Sequence, residues 1–447
     1  MNVLEFKDEL FQKGSEKGFK DMELYYEKSD QFVCAIDKGE VDQFTTAEVT
    51  GVSFRGVYAD QMGYAYTEKL DESSIEFLIE NALENASVLE SEDVEEIYEG
   101  DSNYKDISFS SEALKSVTTE EKINFMKELD KEIYATDERV VATNFFTMQS
   151  VDVQKAMYNS KGLSLEDDQN YLVYMVIVIV EENDVTKSGV HIEVVSDWGK
   201  VNAKESAHKA VQEAVSYLNP LETDDKFYPV ILRQDAARSL LDTFVTTFSA
   251  ETAQQGMSKL KEKVGSKIAG DNINLVDDPF MKNRMGSRTF DAEGVATEKL
   301  NVVENGTLTT LLHNRKTAKK DGVKTTGHAS KASYKGTVNV APSNFYIEPG
   351  SQSYEELVQG MDEGIVVTNL QGLHSGVNAI SGDFSLAANG YYVKGGEIQG
   401  PTNLMTIAGN FFELLNEVNE VGSDLEFGPS NVGAPSLLLK GLSVTFE

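Results

Sequence analysis

Residues 139–197 alternate apolar and polar side chains over several short stretches. The pattern breaks at Asn159-Ser160-Lys161-Gly162 and again at Glu182-Asn183-Asp184. A period of two puts every second side chain on one face of a strand, and polar turn residues at the breaks let the chain reverse. The stretch therefore predicts an antiparallel meander. At its centre lies the longest apolar run of the chain, 171–180, YLVYMVIVIV. That run is half the length of a membrane helix, which needs about 20 residues. Its Val, Ile and Tyr content and its borders at Asn170 and Glu181 predict a buried central strand instead.

Other elements follow from period and punctuation. Residues 3–17 have helical spacing, with Val3, Leu4, Leu10 and Phe11 on one side and Gly18 as a stop. Residues 74–90 and 203–218 also read as helices, the latter ending at Asn219-Pro220. Another, 119–135, opens with Thr118-Thr119-Glu120-Glu121, which resembles a capping box. Strands are expected over 23–28, 32–37 and 41–54, with a turn at Lys38-Gly39-Glu40. The proline- and acid-rich stretch 219–229 is the best domain boundary. Beyond it, 229–232 reads as a strand leading into a helix over 235–248. Asn305-Gly306 between 295–303 and 307–312, and Lys394-Gly395-Gly396 between 390–393 and 397–399, predict hairpins. Further strands are expected at 365–368 and 436–444, and a helix at 410–421 capped by Gly422. The expected fold is α+β, with antiparallel sheets and packed helices. Two domains are expected, residues 1–220 and a β-rich 221–447.

Charge and cysteine content narrow the function. Asp and Glu outnumber Lys and Arg 74 to 40, a net charge of −34. Such a chain repels phosphate backbones, so nucleic acid is not an expected partner. The N-terminal stretch MNVLEFKDELFQKG has no signal-peptide core, and no segment is long enough to span a membrane. The single cysteine, Cys34, excludes an intrachain disulfide, and within FVCAI it reads as an inert core residue. The cytoplasm is the expected location.

Chemistry-bearing motifs are sparse. The histidines are His191, His208, His313, His328 and His374, and none stands four residues from another. There is no HExxH, CxxC, GxSxG, P-loop or post-strand GxGxxG. Two constellations remain. One is 372–385, with His374, Ser375, Gly376, Asn378, Ser381, Gly382, Asp383 and Phe384. Its glycines permit close backbone approach, and its Ser, Asn and Asp suit either a turn-rich connection or a peptide or partner contact. The other is basic. Arg315, Lys316, Lys319, Lys320, Lys324, Lys331 and Lys335 face one acid, Asp321, between 313 and 336. It reads either as a solvated loop or as a surface for an acidic partner.

Several ordered stretches resemble the TldD/PmbA family, also labelled modulator of DNA gyrase. They are 278–280 through Asp291-Ala292-Glu293-Gly294-Val295-Ala296-Thr297, then Thr326-Gly327-His328-Ala329, 372–385, Ile407-Ala408-Gly409-Asn410, 421–425 and Ala434-Pro435-Ser436. In the first half Arg55-Gly56-Val57 and Gly63-Tyr64-Ala65-Tyr66-Thr67 match more loosely. The resemblance implies a metallopeptidase fold with two paired branches. The catalytic branch carries HExxxH on a helix and a cysteine near the C-terminus. Together these bind one zinc, with the motif glutamate as general base. The PmbA/TldE branch lacks the motif. In this chain the corresponding helix begins Gln234-Asp235-Ala236-Ala237-Arg238, and the near-C-terminal loop 426–433 has no cysteine.

The resemblance thus implies a non-catalytic PmbA/TldE-type subunit of a cytoplasmic zinc peptidase. It would carry no metal or catalytic residue of its own. Zinc is expected in an HExxxH-bearing, TldD-like paralogue, paired with this chain as a heterodimer. Unfolded or short peptides are the implied substrates, including leader segments of modified peptides and labile antitoxins. Two alternatives stand beside it. In one, His313, His328 and His374 with Asp383 form a relocated metal site, and the chain is itself the peptidase. In the other, the chain is a peptide-binding homodimer with no enzymatic partner.

Overall fold

The computed structural model describes residues 1–88 and 96–447. The first half is built on a six-stranded sheet of order β3-β2-β1-β4-β5-β6. Its strands are β1 (Met22–Asp37), β2 (Glu40–Tyr58), β3 (Gln61–Thr67), β4 (Val140–Asn159), β5 (Ser164–Glu182) and β6 (Val185–Val195). The expected meander is β4-β5-β6, and 171–180 lies within β5, paired on both sides. Lys38-Gly39 and Asn183-Asp184 close their hairpins with positive φ at both residues. That is the type I′ geometry, whose twist matches the flanking strands.

One face of this sheet carries all the larger helices of the half. Phe6 and Leu10 of Val3–Glu16 and Ile75, Leu78 and Ala82 of Glu72–Val88 pack on Leu24 and Phe54. Met126, Leu129 and Ile133 of Thr119–Thr136 and Ala207 and Val211 of Ala203–Val215 pack on Cys34, Met148, Tyr174 and Val176. Cys34 is buried there, as its apolar context predicts. Residues 89 and 90, the end of the expected 74–90 helix, lie outside the described residues. Close approach of helix to sheet is enforced at Gly63 of β3. A Cβ there would stand 2.1 Å from the carbonyl oxygen of Ala82. Gly63→Ala is therefore expected to push Glu72–Val88 off the sheet and cost about 1–3 kcal/mol, read as a lower urea midpoint.

The second half contains a sheet that closes on itself. Glu363–Gln371 pairs in parallel with Lys226–Leu232 and antiparallel with Asp383–Lys394. The circuit continues through Leu437–Phe446 and Met405–Asn410, with Glu397–Pro401 and Val418–Val421 attached at its sides. A smaller six-stranded sheet includes Leu275–Asp277, Phe345–Ile347 and Val432–Ala434. Helix Gln234–Phe244 lies against both sheets, with Leu240, Leu241 and Phe244 buried and Phe244 stacked on Phe411 at 4.4 Å. This is the expected α+β fold. Both second-half hairpins form, but Leu300–Glu304 and Thr307–Leu308 are shorter than expected.

Several boundaries depart from the sequence reading. The strands expected at 23–28 and 32–37 are one, because β2 and β4 pair continuously across Ser29-Asp30-Gln31. The helix expected at 235–248 changes to a tighter 3₁₀ turn at Val245–Phe248. The helix expected over 410–421 is only Phe411–Leu414, capped by Asn410 Oδ1. After a turn at 415–417 the chain runs on as the strand Val418–Val421, because Leu437–Leu439 lies beyond the reach of Met405–Asn410 and is open on that side, and Val418 and Val421 fill the core. Helical spacing of apolar residues did not outweigh that pairing.

Candidate functional site

The helix Gln234–Phe244 leaves the strand Lys226–Leu232 with Asp235 in its first turn and its apolar face in the core. Its opposite side meets residues 426–434. Gln234 Nε2 donates to Glu426 Oε2 at 3.3 Å, and Gln234 N donates to Ser436 Oγ at 3.1 Å. Arg238, one turn further on, reaches into the gap. A Cβ built at Gly428 would fall 1.1 Å from Arg238 Nη1, so glycine at 428 is what gives the guanidinium its room. Arg238 Nη2 lies 3.8 Å from Asp235 Oδ1. Asp242, another turn on, has its pKa raised by burial, against the opposing effects of Ser430 and Arg238.

This cleft joins the two segments where the resemblance places the family's zinc ligands. The residues present do not fit that metal. Zinc is held by His, Cys or carboxylate donors in a tight tetrahedron, and a fixed guanidinium in the gap would repel a dication. Among the described residues, no three His, Cys, Asp or Glu side chains stand together as a metal-holding group.

The histidines of the relocated-site alternative do not converge with Asp383 either. His328 is buried with both ring nitrogens engaged, Nε2 on Asp277 Oδ2 and Nδ1 on Thr326 Oγ1, each at 2.9 Å. His313 is its neighbour, with backbone bonds to Thr326 and His328, and burial lowers its pKa. His374 sits exposed on the loop that joins Glu363–Gln371 to Asp383–Lys394.

That loop is tied by its own polar groups. Asn378 Oδ1 accepts from Ile380 N and Ser381 N, and Ser381 Oγ donates to Asp383 Oδ2. Asn410 Nδ2 donates to Ser381 O and Asp383 Oδ1. Gly376 N returns to Gly372 O, Gly382 takes a φ of +83°, and Phe384 is buried. His374, Ser375 and Ile380 remain on the surface.

The basic segment is a helix, Arg315–Asp321, with a capping box at Asn314 and a left-handed Gly322. Arg315 Nη1 donates to Glu96 O, and its guanidinium lies over the Tyr98 ring. Lys319 stands 3.5 Å from Glu96. Lys316, Lys319, Lys320 and Lys324 are on the exposed side. Lys335 pairs with Glu68 at 2.6 Å, and Lys331 is turned inward.

The inward turn of Lys331 marks what the residue patterns did not disclose. On the sheet face away from the helices, Arg55 and Glu23 form a buried two-pronged pair, Nε to Oε1 at 2.9 Å and Nη2 to Oε2 at 3.0 Å. Lys331 and Glu293 of the second half lie close to them, and Asp291 neighbours Glu293. Burial raises the pKa of Glu293, and burial with the neighbouring Glu293 pushes Asp291 up to about 7. Asp291 nonetheless accepts from Glu293 N, Val295 N and Ala329 N, which makes it the post of the 291–297 turn.

Sequence profiles of three successive domains match this chain. They are described as PmbA/TldA metallopeptidase domain 1 (residues 22–86), central domain (112–218) and C-terminal domain (225–446). A solved Thermotoga maritima structure, described as a candidate modulator of a DNA gyrase, superposes with a TM-score of 0.92 at 31% identity. The match covers 99% of this chain and 100% of that one. The chain belongs to the PmbA/TldD metallopeptidase family. Within it, the metalloprotease PmbA homologue of Haemophilus influenzae is 27% identical over 90% of this chain and 87% of its own. TldE from Thermococcus kodakarensis shares the fold, with a TM-score of 0.90 at 22% identity over 98% of this chain and 100% of its own. No described helix of this PmbA/TldD protein is long and apolar enough to cross a membrane.

Proposed function

We propose that this PmbA/TldD protein is a PmbA/TldE-type, non-catalytic subunit of a cytoplasmic zinc peptidase. Its partner is an HExxxH-bearing, TldD-like paralogue that supplies zinc and the general base. The observation that supports this reading is Arg238, a guanidinium held between the helix Gln234–Phe244 and Gly428 where the catalytic branch needs metal ligands. In this reading the chain helps enclose unfolded peptides, which it contacts by strand addition and surface loops. The rim loop with His374 and Ser375, and the exposed lysines Lys316, Lys320 and Lys324, are the contacts we assign to peptide or partner.

The test is reconstitution. The chain alone is expected to leave an unfolded peptide intact. Mixed with the HExxxH paralogue, it is expected to raise cleavage at least about tenfold over the paralogue alone. Cleavage by the chain alone, lost with chelator, would overturn the reading. So would a paralogue whose rate does not respond to the chain.

A further inference from the structure

The strand β5 is apolar on both faces over 171–179. Leu172, Tyr174, Val176 and Val178 point to the helices and are at most 1% exposed. Val173, Met175, Ile177 and Ile179 alternate with them, so they point to the opposite side, where they keep part of their surface exposed. Their partners on β6 are Val194, Ile192, Val190 and Ser188, and Val190 is 40% exposed. An antiparallel sheet with one face in water reads polar on that face. Apolar residues on both faces mark a strand that is covered twice. Among the described residues, the helices cover one face of these rows and leave the other open.

The open face carries no charge. Across from 171–175 it continues through alternate residues of 147–151, 31–35 and 43–47, which are Gln, Thr, Ala and Val only. Charged residues make up 26% of the chain, yet no Asp, Glu, Lys or Arg stands on these rows. Elsewhere the net charge of −34 makes two copies repel each other. In a contact about a two-fold axis the same patch meets itself, so a charge at its centre would meet its own sign. Gln and Thr each carry a donor and an acceptor, so they pair with the same residue of a copy. A different protein would be selected through opposite charges, which this face does not offer. The face is also large enough. With a rise of about 3.4 Å per residue and strands about 4.8 Å apart, its rows span about 600 Å² of sheet plane. Two copies then bury about 1,200 Å², where stable interfaces begin, and side chains that stand off the plane add to it.

We propose that the chain pairs with a second copy of itself through this open face. The two sheets stack about 10 Å apart, as in a sandwich. Val173, Met175, Ile177, Ile192 and Val194 form the shared core, and the Gln and Thr of β1, β2 and β4 form its neutral rim. The inference does not depend on the peptidase reading, which is tested by cleavage, whereas this one is tested by the mass of the chain alone.

Sedimentation equilibrium of the full chain is the test. One chain has a mass of 49.3 kDa, and twice that mass is expected in solution. Raising salt from about 0.05 to about 0.5 M is expected to tighten the pair, because it screens the net charge and no ion pair is lost. Met175→Asp and Ile192→Asp each put a carboxylate on the face, opposite a copy that carries the same charge. Each is expected to weaken pairing by about 100-fold or more, while the chain still unfolds cooperatively. Phe227→Asp, at a residue of the second half that is 68% exposed, is expected to leave pairing unchanged. A parent chain of single mass at about 50 μM would overturn the proposal. So would a pair that survives both face variants, or one that loosens as salt is raised.

Discussion

Arg55→Met is expected to destabilise the protein by about 3–5 kcal/mol, because it takes both guanidinium hydrogen bonds from the buried Glu23 and a neutralising charge from the buried Glu293. The two residues face each other across β1 and β2, and only 1% of Glu23 and 6% of Arg55 is exposed. No solvent can replace the lost guanidinium without opening the contact between the sheet and the 291–297 and 329–336 segments. The companion variant decides the cause. Glu23→Met with Arg55→Met removes both charges, and it is expected to recover most of the loss, since a buried ion pair exchanged for apolar volume is often neutral. Urea unfolding of the single and double variants checks this. A single variant within about 1 kcal/mol of the parent would show that water reaches the pair.

Asp277→Ala is expected to cost about 3 kcal/mol or more. Asp277 has no exposed surface, and its carboxylate gathers three donors. Oδ1 accepts from Ser343 N at 2.8 Å, and Oδ2 accepts from His328 Nε2 and from Ser343 Oγ. Alanine leaves a buried ring nitrogen, an amide and a hydroxyl without that partner. Burial alone would raise the Asp277 pKa, but the charge and hydrogen bond of His328, with Ser343 and Arg288, outweigh it and hold the group below its ordinary value. A depressed carboxylate adds stability above its unfolded pKa, about 3.9, and loses it as pH falls through the lower folded value. The deficit of Asp277→Ala is therefore expected in full at neutral pH and to narrow in acid. Unfolding midpoints at pH 7 and near pH 3 check both statements. A deficit that stays constant with pH would mean that the ionised form contributes nothing.

Much of the fold was legible because its signals are local. Alternation over 139–197 became β4, β5 and β6, and turn pairs such as Lys38-Gly39 and Asn305-Gly306 adopted the positive φ that hairpins require. The 410–421 reading failed for a non-local reason. Val418 and Val421 have helical spacing in sequence, yet the side of Leu437–Leu439 left open by Met405–Asn410 captures them as a strand. The basic segment held a second ambiguity. Its lysines look alike in a one-dimensional count, but Lys320 and Lys324 are solvated while Lys331 is half-buried with its ammonium over the Tyr25 ring.

The sequence by itself determined the α+β class, most element positions and the lack of histidine and cysteine in 234–244 and 426–433. Those are properties of residue type, period and spacing, which need no neighbour. Only the tertiary structure decided that Arg238 meets Gly428 and that Glu23, Arg55, Glu293 and Lys331 share one buried site. It alone left the outer face of 171–179 part-exposed. A charged residue has the same letter whether it faces water or a protein interior. Its pKa, its partner and its energetic weight are set by the dielectric and the groups that packing brings to it from distant parts of the chain.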